Sequence, residues 1–306
     1  MVPEARVGKM FSSEEFIIAV YCCVDDEWKQ LTSGQPIRRR GFEPALSDAE
    51  VITMEIVGEY QGMDADKDIW KYFRDHWLCL FPKLQSRSSF VRQAANLWQY
   101  KQRLQQGLAR KLGALDDDVH LIDGLPITLC CFTYACRCRS FRGEADYGYC
   151  AAKKEHFYGF RGHLNISAIG VITGFTLTPG NGDERCAVWD ILSGISGLLI
   201  GDKGYINQFL CCELRPYGIN LQTPLRSNMR FTLPKSWVRL LQNLRRLIET
   251  VNSQLSERFN FERVRARDMW HLTSRCNRKL LAHTVCCFLN RLFGREILQF
   301  DGLITD

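Results

Sequence analysis

The chain has 306 residues, 46% hydrophobic and 24% charged, which is length enough for two cores and too mixed a composition for a fibrous or disordered protein. No apolar run reaches the ~18 residues of a membrane span, and the N-terminal MVPEARVGKM lacks the apolar core of a signal peptide; a cytoplasmic protein with no membrane partner is expected. The net charge of +6 is uneven: from Thr223 to Arg295 fifteen Lys/Arg stand against four Asp/Glu, a basic third that suits a nucleic-acid partner.

The first ~115 residues read as helices. Ser12 and Glu15 form a capping box with Phe11 and Phe16 as its hydrophobic staple, and Ser47 and Glu50 form a second with Leu46 and Val51. Between them lies a looser segment with Arg38, Arg39 and Arg40, either a phosphate contact or an exposed linker. A third helix is expected over Asp66–Leu80, stopping at Pro82, and a fourth, basic one over Ser89–Leu112, ending at Gly113. These helices fit a helix-turn-helix-like DNA-binding module or a dimerisation bundle.

The pattern changes at Leu115. Val119–Ile122 is a short apolar run ending on Asp123-Gly124, and Leu125–Phe132 is its continuation or a second strand. A polar, aromatic loop over 133–155 precedes a strand at His156–Ala168, its hairpin partner at Gly170–Leu177, and a helix over Asp183–Ser193. Leu198–Gly201 is a buried-strand run ending on Asp202. A helix at Ile206–Leu214 and a strand at Asn220–Thr223 follow, then a long helix at Arg239–Phe259 and basic helices from Trp270 to Phe293. The expected division is a helical domain, 1–115, and an α/β domain with a mixed sheet, 116–306.

The fourteen cysteines include four adjacent pairs, Cys22–Cys23, Cys130–Cys131, Cys211–Cys212 and Cys286–Cys287, with no zinc-ligand spacing among them. They read as buried reduced thiols.

Asp123 and Asp202 share a local setting: each closes an apolar run and precedes a turn, where carboxylates at the carboxyl ends of strands face a crevice. The Arg239–Phe259 helix adds a polar stripe, Gln242, Arg245, Arg246, Glu249, Asn252, Ser253 and Ser256, with Glu249 in its middle. Three carboxylates without a His/Cys set suit Mg²⁺ or Mn²⁺ rather than zinc, and two such ions can clamp the attacking and leaving oxygens of a phosphoryl transfer. Asp116–Asp118 read as a capping or solvated run, Asp183 and Glu184 as a helix start, and Asp146 as a loop residue without a partner.

The motifs I-D-G at 122–124, G-D-K-G-Y at 201–205 and R-R-L-I-E-T at 245–250 resemble the three catalytic motifs of the DDE transposases of bacterial insertion sequences, over roughly Asp116–Arg295. The resemblance implies an RNase H-like α/β fold after an all-α N-terminal domain. It implies catalytic, metal-binding roles for Asp123, Asp202 and Glu249, two divalent ions, double-stranded DNA (element ends and target) as partner, and at least a dimer. One related group carries a tyrosine, an arginine and a lysine around the glutamate. Arg245 matches the arginine, whereas Gln242 and Ser256 depart at the other two positions, with Arg246 and Lys203 nearby to compensate. Lys153, Lys154, Arg161 and His163, on or beside the strand after the loop, are further candidate DNA contacts. The implied activity is cleavage at the ends of a mobile element followed by transfer of the 3′-OH into target DNA. The alternatives are an RNase H-like nuclease without strand transfer and a non-catalytic DNA-binding descendant of a transposase.

Overall fold

The computed structural model describes residues 11–305 apart from 39, 42, 152 and 226–233; Arg39 of the linker run therefore lies outside the described residues. The chain divides into two compact units, one of residues 1–108 with 257–306 and one of residues 109–256.

The first unit is helical: α1 (Ser13–Thr32), α2 (Asp48–Tyr60), α3 (Asp66–His76), α4 (Arg87–Asn96), most of α5 (Trp98–Lys111), and α9 (Met269–Leu292). Both capping boxes form. Ser12 and Ser47 each accept the N–H of the glutamate three residues on, and that glutamate returns a carboxylate to the cap. The expected single helix over Ser89–Leu112 is two, because Leu97 caps α4 and its carbonyl accepts the first bond of α5. The division at residue 115 had assigned 257–306 to the sheet domain; instead α9 packs on α1, α2 and α4.

Two cations of the basic C-terminal third, both on α9, are buried. Arg278 is 1% exposed and donates to Glu59 (2.5 Å), Asp66 (2.6 Å) and the Asp64 carbonyl (3.0 Å). Lys279 is equally buried and reaches Glu59 (2.7 Å) and the Phe259 carbonyl (2.5 Å). Lys101 donates to Glu55 (2.8 Å) and Ser274 (2.9 Å). Arg275 pairs with Asp66, Arg258 with Asp301, and Arg295 donates to backbone carbonyls. A buried cation survives only when paired, so Arg278, Lys279 and Lys101 hold the bundle together and are not phosphate contacts, whereas Arg263, Arg265, Arg267 and Arg291 stay exposed. Burial, opposed by Arg278 and Arg275, leaves the Asp66 carboxyl at about 2.

The second unit is one six-stranded mixed sheet: β1 (Val119–Cys131), β2 (Asp146–Cys150), β3 (Glu155–Ser167), β4 (Ile172–Pro179), β5 (Gly197–Ile200) and β6 (Ile219–Gln222). β3 is antiparallel to β1, whereas β5 and β6 continue beyond β1 in parallel. β2 and β4 share the outer edge of β3, β2 pairing Glu155–Gly159 and β4 pairing Phe160–Ile166. The strand order is β4-β3-β1-β5-β6, a mixed sheet of the α/β class expected from the sequence. Helices α6 (Glu184–Ile191) and α7 (Gln208–Leu214) bury Val188, Ile191, Leu210 and Leu214 against Ile122, Leu199 and Leu221. Helix α8 (Lys235–Glu257) buries Leu241, Ile248, Val251 and Leu255.

Two sequence expectations change here. Val119–Ile122 and Leu125–Phe132 are one 13-residue strand, with Asp123 inside it rather than at its end. The 133–155 loop holds a 3₁₀ turn (Phe132–Arg137) and the edge strand β2. All fourteen cysteines are free thiols, but only Cys23, Cys276, Cys286 and Cys287 are buried, so the expectation of buried thiols fails for the rest. Among the described residues no helix is long and apolar enough to cross a membrane.

Candidate active site

β1 and β5 pair as Val119↔Leu198, His120↔Leu199 and Leu121↔Ile200, a constant offset of 79 residues. Asp123 and Asp202 share that offset. Each lies two residues beyond the last parallel pair, on neighbouring strands ~4.8 Å apart. β1 runs on past this point and β5 does not, so Asp123, though mid-strand, stands where the parallel ladder opens.

Each aspartate is held by a specific bond. Asp202 caps the 3₁₀ turn Lys203–Tyr205 and accepts the Gly204 N–H at 2.6 Å. Asp123 accepts the Gly124 N–H at 2.8 Å on one oxygen and the Asn252 amide at 2.9 Å on the other. Burial, against the Gly124 N–H, together with the charges of Asp202 and Glu184 and against that of Arg245, raises the Asp123 carboxyl from 3.8 to about 6.

Glu184, marked in the sequence only as a helix start, is a further acid at this site. It does open α6, and its carboxylate lies over the turn after Asp202. A Cβ built on Gly204 would meet Glu184 Oε2 at 2.2 Å and Asp202 Oδ1 at 2.9 Å, so both carboxylates close on this glycine and a side chain there would displace them. Arg161 pairs with Glu184 and donates to the Tyr149 carbonyl at 3.0 Å. Burial raises the Glu184 carboxyl, opposed by Arg161 and reinforced by Asp202. The signal available in the sequence was only an acid at a helix N-terminus near a strand end.

Glu249 is on the expected stripe of α8, one turn after Arg245 and about one turn before Asn252. Arg245 and Asn252 act on Asp123, whereas Glu249 is exposed and no hydrogen bond or ion pair joins it to either aspartate. Among the described residues no group of three or more His, Cys, Asp or Glu has the geometry to hold a metal ion, so the three carboxylates named from the sequence are not brought into one ligand set. The donors nonetheless suit a hard cation. Asp123 and Asp202 crowd two carboxylates together, and two buried polar atoms beside them, Asn252 Oδ1 and the Tyr205 hydroxyl, lack hydrogen-bond partners.

The candidate DNA contacts divide. Lys153, Lys154, Lys203 and Arg246 are exposed, and Arg245 is half-buried toward Asp123. His163 is fully buried on β3, with Nε2 2.9 Å from Thr178 Oγ1. Burial, then Arg161, lowers its pKa to about 4, so it is a neutral packing residue and not a phosphate contact. Arg161 is committed to Glu184. Asp146, expected to have no partner, accepts the Asn181 amide at 2.7 Å. Asp117 accepts the Ala168 N–H at 2.9 Å.

A family model described as a transposase DDE domain matches residues 114–269, just over half of the chain. The chain belongs to the DDE transposases. It is a DNA transposase by family, and the match spans Asp123, Asp202 and Glu249. No curated protein matches it in sequence. Among solved structures it is similar to a piggyBac transposase in a synaptic complex with hairpin DNA, over 97% of this chain and 80% of that one, at 10% identity and a TM-score of 0.48.

Proposed function

We propose that this transposase cleaves DNA phosphodiesters at the ends of an insertion sequence and joins the freed 3′-OH to target DNA, at a site built on Asp123, Asp202 and Glu249. The observation that carries the reading is the shared register of the two aspartates, two residues past the same strand pair. Mg²⁺ or Mn²⁺, bound as two ions, would supply Lewis-acid polarisation of the phosphate and activate the attacking oxygen.

Asp123 and Asp202 are the ligands already fixed by backbone N–H groups. Asn252 sets the Asp123 rotamer, an outer support of the kind that orients metal ligands. Glu184 is the weaker candidate for third ligand, since Arg161 already matches its charge. Glu249 has no such commitment and sits between the two α8 residues that act on Asp123. Arg245 brings positive charge toward the reacting phosphate. Lys203, Arg246, Lys153 and Lys154 are exposed cations suited to the flanking backbone, so affinity falls with salt. Double-stranded DNA is the substrate, and pairing two element ends requires at least a dimer.

The test is cleavage and joining with duplexes carrying the sequences that flank the coding region, with Mg²⁺. Asp202→Asn should lose both steps and retain DNA binding. Unchanged activity in that variant refutes the assignment, and cleavage by the native protein without joining reduces it to a nuclease.

A further inference from the structure

The segment between β1 and β3 has a composition that the catalytic reading leaves unused. Phe132, Tyr147 and Tyr149 are 52%, 44% and 46% exposed, although large aromatic rings are normally among the better buried side chains. They form a connected array: Phe132–Tyr147 at 5.4 Å, Phe132–His156 at 5.6 Å and Tyr149–His156 at 4.9 Å between ring centroids. Exposed cations lie on the same short segments, at Arg137, Arg139 and Lys154.

The register of the sheet fixes where this array lies. Asp123 opposes Leu164 on β3, and alternation carries the same face along β3 through Gly162, Phe160 and Tyr158 to His156. Tyr147 pairs with Tyr158 and Tyr149 with His156, so the rings share the face of Asp123. His156 is eight residues from Leu164, about 26 Å at ~3.3 Å per residue. The backbone of β2 is anchored from the other face of the sheet, where Arg161 donates to the Tyr149 carbonyl and pairs with Glu184.

Part-exposed aromatic rings interleaved with cations are what single-stranded nucleic acid binds: bases stack on the rings, and the cations follow the backbone. A duplex has its bases already stacked and offers such rings little. We infer that Phe132, Tyr147, Tyr149 and His156 form a stacking platform for unpaired DNA bases beside the strand being processed. The inference rests on DNA as the substrate and not on the roles assigned to the carboxylates.

The test uses the full chain and a single-stranded oligonucleotide with internal 2-aminopurine, with the duplex of the same sequence as control. Stacking should quench the 2-aminopurine in the native complex. Tyr149→Ala should weaken single-strand affinity about tenfold and duplex affinity by less than about twofold, and Tyr149→Phe should retain both. Asp123→Asn should keep the quench whether or not it cleaves, which separates this inference from the catalytic one. An unquenched native complex, or equal loss for single strand and duplex in Tyr149→Ala, overturns it. So does conversion of a dimer to a monomer by Tyr149→Ala in light scattering, which would assign the rings to a second copy of the chain.

Discussion

Replacing Asp123 by Asn should stabilise the metal-free protein while abolishing its chemistry. Burial, Asp202 and Glu184 hold the Asp123 carboxyl at about 6 in the folded chain, against 3.8 for the unperturbed group. The folded state therefore binds the proton more tightly than the unfolded state. Stability falls as pH rises from about 4 to about 6 and is level above that. Two pK units at ~1.36 kcal/mol each place the cost of the ionised carboxylate near 3 kcal/mol at pH 8, an upper figure because the side chain is only partly shielded from water. Asn is isosteric, can still accept the Gly124 N–H, can donate to Asn252 Oδ1 once that amide turns over, and carries no charge. In urea unfolding with a chelator present, Asp123→Asn should match the native protein near pH 4 and exceed it by about 1–3 kcal/mol at pH 8. Adding Mg²⁺ should shrink that advantage, since a bound cation stabilises only the native carboxylate. A variant no more stable at pH 8, or one with the same advantage at both pH values, refutes the account of a charge-crowded site.

Two other carboxylates separate by where they sit. Glu249→Gln, on an exposed part of α8, should cost about a thousandfold or more in DNA cleavage with no measurable change in unfolding, because metal ligands contribute several kcal/mol to the transition state. Glu184→Gln should destabilise by about 1–2 kcal/mol in urea titration by leaving Arg161 half-buried and unpaired, yet keep partial cleavage; the reverse ranking would make Glu184 the third ligand. In the helical unit, Lys101→Met should cost about 3 kcal/mol by leaving buried Glu55, whose carboxyl burial already pushes upward, with only Arg278 at 3.5 Å as a cationic partner. Circular dichroism melts should show this, and Glu55→Gln combined with Lys101→Met should recover part of the loss.

How much was legible in the sequence follows from the range of each signal. The capping boxes at Ser12 and Ser47 are closed within four residues, so the text of the chain contains them whole. The same is true of the polar stripe on α8. β2 is different. Asp146–Cys150 has five residues with a glycine in the middle, and it is a strand only because Glu155–Gly159 supplies its partner. His163 and Arg161 look like a basic strand edge until the alternation of β3 is known: odd positions turn toward the α6 side, where His163 is covered and Arg161 meets Glu184. Arg278 and Lys279 were legible as charge but not as burial, because their partners Glu59 and Asp66 lie more than 200 residues away. Glu184 carried no local mark of its place beside Asp202, which depends on how α6 returns over Gly204.

The spacing of the two aspartates shows which part of a long-range arrangement a sequence can hold. A separation of 79 residues has no chemical meaning in itself, since loops, a hairpin and α6 fill it. It becomes meaningful once Val119 is seen to pair with Leu198, because the quantity under constraint is then the count from the last strand pair to the acid, two residues on both strands. Side chains alternate with period 2, so a slip of one residue on either strand would turn its carboxylate to the opposite face. The connection between the strands is not constrained in this way. Asp123 with Gly124, and Gly201 with Asp202, are thus the units that the sheet holds in place, and that is why the short motifs, and not the distance between them, pointed to the site.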